Sequence, residues 1–341
     1  MKKLTMALAA MVLATLPAAA QMQLNGAGAT FPYVIYSKWF DVYNKKTGVQ
    51  FNYQSIGSGG GIKQVIEGTV DFGASDGPMT DAQMNEVKQK QGTEIMHIPT
   101  VMGGVVATYN LPEAGQHLKL DADALAGIYL GEITTWNDPR ITNQNKDLSL
   151  PNKPIIAVHR SDGSGTSFIF TDYLSKVSKT WSGKVGKGTS VNWPLGLGGK
   201  GNEGVSGMVK QTEGAIGYVE QAYAVKNNLP YASLKNKAGF YVEPSLESVT
   251  EAAQSEARQM PADMRVSITN AAGKKAYPIC GFTWLLIYKH PKDKVKGKAI
   301  QQFLHWAMKD GEAYAADLMY APLPKEVVKL NEKLINSIAV K

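Results

Sequence analysis

Three short turns in this chain carry the residue types from which proteins build oxyanion sites. Gly26-Ala27-Gly28-Ala29-Thr30-Phe31-Pro32 precedes a stretch in which Tyr36, Trp39, Phe40 and Tyr43 recur at helical spacing. Ser55-Ile56-Gly57-Ser58-Gly59-Gly60-Gly61 precedes Ile62, Val65 and Ile66, and Arg160-Ser161-Asp162-Gly163-Ser164-Gly165-Thr166 precedes Phe170, Tyr173, Leu174 and Val177. A helix N-terminus offers unpaired backbone N–H groups and about half a positive charge. Glycine lets a ligand approach that backbone, and Ser or Thr adds a hydroxyl donor. Any one of these turns alone reads as an ordinary capped helix start, because Ser, Thr and Gly are common caps. Three in one chain, around Thr30, Ser58 and Ser164 to Thr166, can converge on a single tetrahedral anion.

Two charged residues sharpen that chemistry. Arg160 can make a bidentate, charge-assisted pair with an oxyanion, and Asp162, two positions on, can hold its guanidinium, although the same pair also reads as a turn salt bridge. Asp76, which follows the strand-like Val70, Phe72 and Ala74, should repel an anion: at about 4 Å and an effective dielectric near 20, each pair of unit charges costs roughly 4 kcal/mol. Asp after a strand is also a common turn residue. In an anion site it makes sense only if the ligand brings a proton to donate. Phosphate at neutral pH carries one or two protons and sulfate none, and a site built around that hydrogen bond rejects the analogue lacking it by on the order of 10⁴.

Other chemistries find little support. Gly26-x-Gly28 lacks the third glycine of a dinucleotide fingerprint, since Phe31 stands there, and no Gly-Lys-Ser/Thr ending marks a nucleotide loop. Asp162-Gly163-Ser164-Gly165 falls short of a hydrolase nucleophile elbow, and Ser164 has no evident partner base. The five histidines, His97, His117, His159, His290 and His305, show no metal-ligand spacing, so neither a metal nor a cofactor is expected. The excess of 36 Lys and Arg over 29 Asp and Glu is scattered in small groups, without the basic stripe of a nucleic-acid binder.

The N-terminus reads as an export signal: Lys2 and Lys3, an apolar run from Leu4 to Leu16, then Pro17-Ala18-Ala19-Ala20, with cleavage expected after Ala20. No cysteine follows the apolar run to carry a lipid, so a freely diffusing exported chain is expected. Cys280 is the only cysteine, which excludes an intramolecular disulfide. Removing 20 of 341 residues leaves enough chain for two lobes. Throughout it, β-patterned runs alternate with Gly/Ser/Thr turns and helical periodicity, which predicts an α/β fold with largely parallel strands. Gly214-Ala215-Ile216-Gly217-Tyr218-Val219 and Trp284-Leu285-Leu286-Ile287-Tyr288 read as further buried strands.

In order along the mature chain, Gly26 to Pro32, Gly57-Ser58-Gly59-Gly60, Asp71-Phe72-Gly73-Ala74-Ser75-Asp76, Arg160 to Thr166, Gly198-Gly199-Lys200-Gly201-Asn202-Glu203-Gly204 and Gly214-Ala215-Ile216-Gly217-Tyr218 form a set that resembles the periplasmic phosphate-binding proteins of ABC phosphate importers. The resemblance implies a two-lobe, type II periplasmic-binding-protein fold with the ligand in the interlobe cleft. The crossings are expected near Pro99 to Met102 and near Pro278 to Phe282, where Pro and Gly punctuate the chain, although both stretches also read as ordinary loops; lobe 1 is then residues 21–100 and 281–341 and lobe 2 residues 101–280. Thr30 and Phe31 would then supply donors, Ser58 a donor pair and Asp76 the acceptor for the phosphate proton. From the second lobe Arg160 would bind an oxygen, Asp162 would orient Arg160, and Ser164, Gly165 and Thr166 would cap the anion. The same resemblance implies a non-enzymatic, monomeric receptor that hands inorganic phosphate to the membrane permease subunits of an importer driven by a cytoplasmic ATPase. An exported phosphatase using Ser164, and a receptor for sulfate, are the competing readings; Asp76 argues against sulfate.

Overall fold

The computed structural model describes residues 21–257 and 260–340, so the expected signal peptide, residues 1–20, lies outside the described residues. Among the described residues, the strands are β1 (Gln23–Gly28), β2 (Gln50–Ser55), β3 (Phe72–Ser75), β4 (Ile95–Tyr109), β5 (Lys119–Leu120), β6 (Ile156–Arg160), β7 (Leu197–Gly199), β8 (Ala215–Glu220), β9 (Ser233–Lys235), β10 (Tyr241–Val242) and β11 (Cys280–Tyr288). Eight of them form one sheet in the order β2-β1-β3-β11-β4-β8-β6-β7, and β10-β9-β5 form a small second sheet. The two ends of the large sheet are parallel, with β1 between β2 and β3 and β6 between β8 and β7. Antiparallel pairing of β11 with β3 and β4, and of β4 with β8, joins those ends. The expected α/β class holds, as a mixed sheet rather than a largely parallel one.

β4 runs through both halves of the large sheet. Its residues from Ile95 to Gly104 pair with β11, and those from Val105 to Tyr109 pair with β8. Pro99 would normally interrupt a central strand because it has no N–H to donate. Here the register of β11 shifts between Thr283 and Trp284, whose partners are Val101 and Pro99, so Thr100 is the extra residue of a bulge that absorbs the proline. Thr100 is held by other means: its hydroxyl meets Tyr36 Oη at 2.7 Å and donates to the Thr283 carbonyl at 3.2 Å. All fifteen residues of β4 are buried, as expected of a strand covered on both faces.

The helix Tyr33–Thr47 buries the aromatic face predicted from its spacing: Tyr36, Trp39, Phe40 and Tyr43 are all inside. Phe40 stacks on Phe51 of β2 at 4.4 Å, and Phe303 of the Lys294–Ala307 helix packs on both. Each such side chain contributes about 1.5–3 kcal/mol on burial. On the other side of the sheet junction Phe170 of the Gly165–Val177 helix stacks on Tyr218 of β8 at 4.3 Å, which presses that helix start against β6 and β8. The aromatic layers therefore hold in place two of the helix starts singled out above.

Candidate functional site

The turns after β1, β2, β3 and β6 meet at one place. Glycine is required there: a Cβ on Gly165 would lie 2.5 Å from both Asp76 Oδ2 and Ser58 Oγ. Gly57, with φ +88°, stands where a Cβ would come within 2.2 Å of Asp162 Oδ2. Gly59 N–H donates to the Gly163 carbonyl at 2.8 Å, so the turn after β2 touches the turn after β6 directly.

From the β3 side, Asp76 is buried, with its backbone N–H donating to Ser58 Oγ at 3.2 Å. Thr283 of β11 donates its hydroxyl to Asp76 Oδ1, which leaves Oδ2 facing Ser58 Oγ at 3.5 Å and the start of the Gly165–Val177 helix. Burial raises the Asp76 carboxyl to about 7, against the opposing effects of the Thr283 hydrogen bond, the Arg160 charge and Ser58. The group is thus poised to exchange a proton near neutral pH.

From the β6 side, Arg160 is almost wholly buried, and its backbone N–H donates to Tyr218 Oη at 3.0 Å. Asp162 takes its Nε at 2.8 Å and Nη2 at 2.5 Å, and Nη1 donates to Thr166 Oγ1 at 3.3 Å. Three of the five guanidinium N–H bonds are therefore used within the protein, and among the described residues one on each terminal nitrogen has no partner, an arrangement that can take an oxyanion. Burial opposes ionisation of Asp162, but Arg160 and the Gly201 N–H at 3.0 Å hold its carboxyl below the ordinary value.

The helix starts contribute unequally. Thr30 and Phe31 precede the Tyr33–Thr47 helix, and their carbonyls accept from Tyr223 Oη and Tyr320 Oη, each at 2.6 Å, which orients the turn. Ser58 begins the Ser58–Glu67 helix, while Gly165 and Thr166 open theirs with first-turn N–H groups that no helical carbonyl can reach. Ser164 serves the helix instead. Its hydroxyl accepts from Ser167 N at 3.0 Å as the N-cap, and its own N–H donates to the Thr189 carbonyl at 2.7 Å. The structure thus brings Thr30, Phe31, Ser58, Asp76, Arg160, Asp162, Ser164, Gly165 and Thr166 into one cluster, with Ser164 engaged as a cap.

Sequence reasoning singled out neither Thr283 nor Asn202 as site residues. Asn202 stands in the second position of the Gly201–Gln211 helix and is completely buried; its Nδ2 donates to Thr30 Oγ1 at 2.7 Å and Thr166 Oγ1 at 3.2 Å. The Gly198 to Gly204 motif pointed at this turn, and the N–H groups of Gly201 and Asn202 go to Asp162 and Thr30. His159, the one histidine beside the cluster, stacks on Trp193 at 4.9 Å, as a structural residue does.

A mixed sheet shared by two α/β layers, with helix N-termini, an arginine and a buried carboxylate gathered at one place, has the make-up of a solute-binding protein. Residues 14–310 match the family model described as the PBP superfamily domain. The chain is 49% identical over 308 residues to the phosphate-binding protein PstS of Pasteurella multocida, covering 90% of this chain and 88% of that protein. It is 48% identical over 319 residues to the phosphate-binding protein PstS of Haemophilus influenzae, covering 93% and 94%. A phosphate-binding protein from Stenotrophomonas maltophilia shares the fold at a TM-score of 0.69 and 21% identity, with 92% and 93% coverage. The chain belongs to the PBP superfamily and, within it, to the family of PstS phosphate-binding proteins.

Proposed function

We propose that this protein captures inorganic phosphate in the cleft between its lobes and delivers it to the membrane permease subunits of an ABC importer. The observation that carries the reading is the pairing of Asp76 and Arg160 across the site. A buried carboxyl with a pKa near 7 accepts a proton from the ligand, while a guanidinium anchored by Asp162 has two N–H bonds left for the ligand's charged oxygens. First-turn N–H groups at Ser58, Gly165 and Thr166, with Thr30 and Phe31 just ahead of the Tyr33–Thr47 helix, supply the remaining donors, and Ser164 holds the start of the Gly165–Val177 helix in shape.

The lobes in this reading are residues 21–100 with 281–341, and residues 101–280; the exchange of β4 from β11 to β8 after Gly104 supports a junction there. The protein works as a periplasmic monomer after removal of residues 1–20, and it binds without catalysis, in keeping with the capping role of Ser164. Among the described residues no helix is long and apolar enough to cross a membrane. Equilibrium dialysis of the mature chain against labelled phosphate tests capture, and ATP-dependent uptake into vesicles carrying the importer tests delivery. One bound phosphate per chain and uptake that requires this protein are expected; dialysis without retained phosphate refutes the reading.

A further inference from the structure

Thr30 and Thr166 reach the site from opposite lobes, and one buried amide touches both. Asn202 Oδ1 accepts the backbone N–H of Glu220 at 2.9 Å. A backbone donor must meet an acceptor, so the amide cannot be turned over, and its NH₂ faces the two hydroxyls. Both of its N–H bonds are used, one at Thr30 Oγ1 and one at Thr166 Oγ1. Thr30 Oγ1 also accepts the Asn202 backbone N–H at 3.3 Å, and Thr166 Oγ1 also accepts Arg160 Nη1 at 3.3 Å. A hydroxyl oxygen accepts two hydrogen bonds and donates one. With two acceptor positions taken on each, Thr30 and Thr166 have only their O–H to offer, and both side chains are buried.

We infer that Asn202 is a positioning residue for phosphate: it makes Thr30 and Thr166 obligate donors to the anion and ties the two lobes together when they close on it. The inference rests on the phosphate reading above. A threonine free to rotate can present a lone pair to an anion and repel it; one whose lone pairs are occupied cannot. The same amide bridges residue 30 of one lobe and residue 166 of the other, so its two hydrogen bonds form together only when the lobes meet. Phosphate then binds a pair of donors already pointing inward, and the lobes are held by a group that touches no ligand atom.

The test is calorimetric titration with inorganic phosphate of the full mature chain and of Asn202→Ala, Asn202→Asp, Thr30→Val and Thr30→Ser, with the Asn202→Ala change also placed in both Thr30 backgrounds. Asn202→Ala is expected to weaken phosphate by about tenfold. Asn202→Asp, nearly isosteric, turns a donor pair into acceptors that capture both hydroxyl protons, and should weaken it by at least about a hundredfold. The cost of Asn202→Ala should be retained in Thr30→Ser, which keeps the hydroxyl, and should shrink in Thr30→Val, which has none to orient. Equal costs in both backgrounds, or an Asn202→Asp protein that binds within about threefold of the parent, overturn the inference. A parent protein that does not bind phosphate overturns the functional reading instead, so the two failures are distinct.

Discussion

Replacing Asp76 with Asn removes a charge while keeping the shape, and the consequences for stability and for binding have opposite signs. Burial raises this carboxyl from the ordinary 3.8 to about 7, which corresponds to about 4 kcal/mol spent on keeping it ionised in the ligand-free protein above that pH. A folded-state pKa above the unfolded one means stability that is full below pH 3.8 and is lost as pH rises through about 7. Asp76→Asn escapes that loss, since an amide oxygen still accepts from Thr283 and its NH₂ faces Ser58. Calorimetric melting of ligand-free protein should therefore show the variant several degrees more stable at pH 8.5 and no more stable than the parent at pH 4. Phosphate titration should show the reverse. The amide cannot take the ligand's proton, and losing a hydrogen bond to a charged group costs about 1.5–3 kcal/mol, or roughly 10- to 100-fold in affinity. Sulfate should bind the variant better than it binds the parent, by up to about 10³, because a repulsion of roughly 4 kcal/mol is gone. A stability difference that is the same at both pH values, or sulfate binding unmoved by the substitution, would refute the assignment of Asp76.

Three further outcomes follow from neighbouring contacts. Arg160→Ala leaves Asp162 and the anion unpaired in a buried site, and phosphate titration should show affinity down by about 3 kcal/mol or more. Thr283→Val removes the bond that favours the ionised form of Asp76, so NMR titration of that carboxyl should find its pKa above the parent's, with phosphate weakened by roughly tenfold. A downward pKa shift would contradict the geometry. Cys280 is buried and its thiol is pushed up by burial, so a thiol reagent at pH 8 should label it only after denaturant is added; rapid labelling of the native protein would contradict its placement in β11.

The parts of the cluster that could be read from the chain are those whose chemistry is local. Thr30, Ser58 and Thr166 announce themselves because a Gly- or Ser-rich turn precedes a helical face, and Arg160 and Asp162 pair across a single intervening residue. The aromatic face of the first helix follows from its spacing alone. Thr283 could not be found this way. It lies 207 residues from Asp76, inside a strand buried almost throughout, and only the bulge at Thr100 shows where that strand meets β4. Asn202 sits in a motif that was visible, yet its role depends on Thr30 and Thr166 arriving from two directions. β4 also resisted a reading from sequence: Pro99 and Gly103-Gly104 look like breaks, whereas a bulge lets one strand run unbroken from Ile95 to Tyr109. The short strands β5, β9 and β10 were likewise missed, being only two or three residues long.

All of this turns on a ligand that carries a proton. Calorimetric titration of the unmodified mature protein at pH 8.5, where the Asp76 carboxyl is ionised, with phosphate and, separately, with sulfate probes that directly. Phosphate should bind one to one, and sulfate on the order of 10⁴ more weakly, because sulfate has no proton for Asp76 to accept. Sulfate binding as tight as phosphate would contradict the assignment of Asp76 and, with it, the choice of ligand.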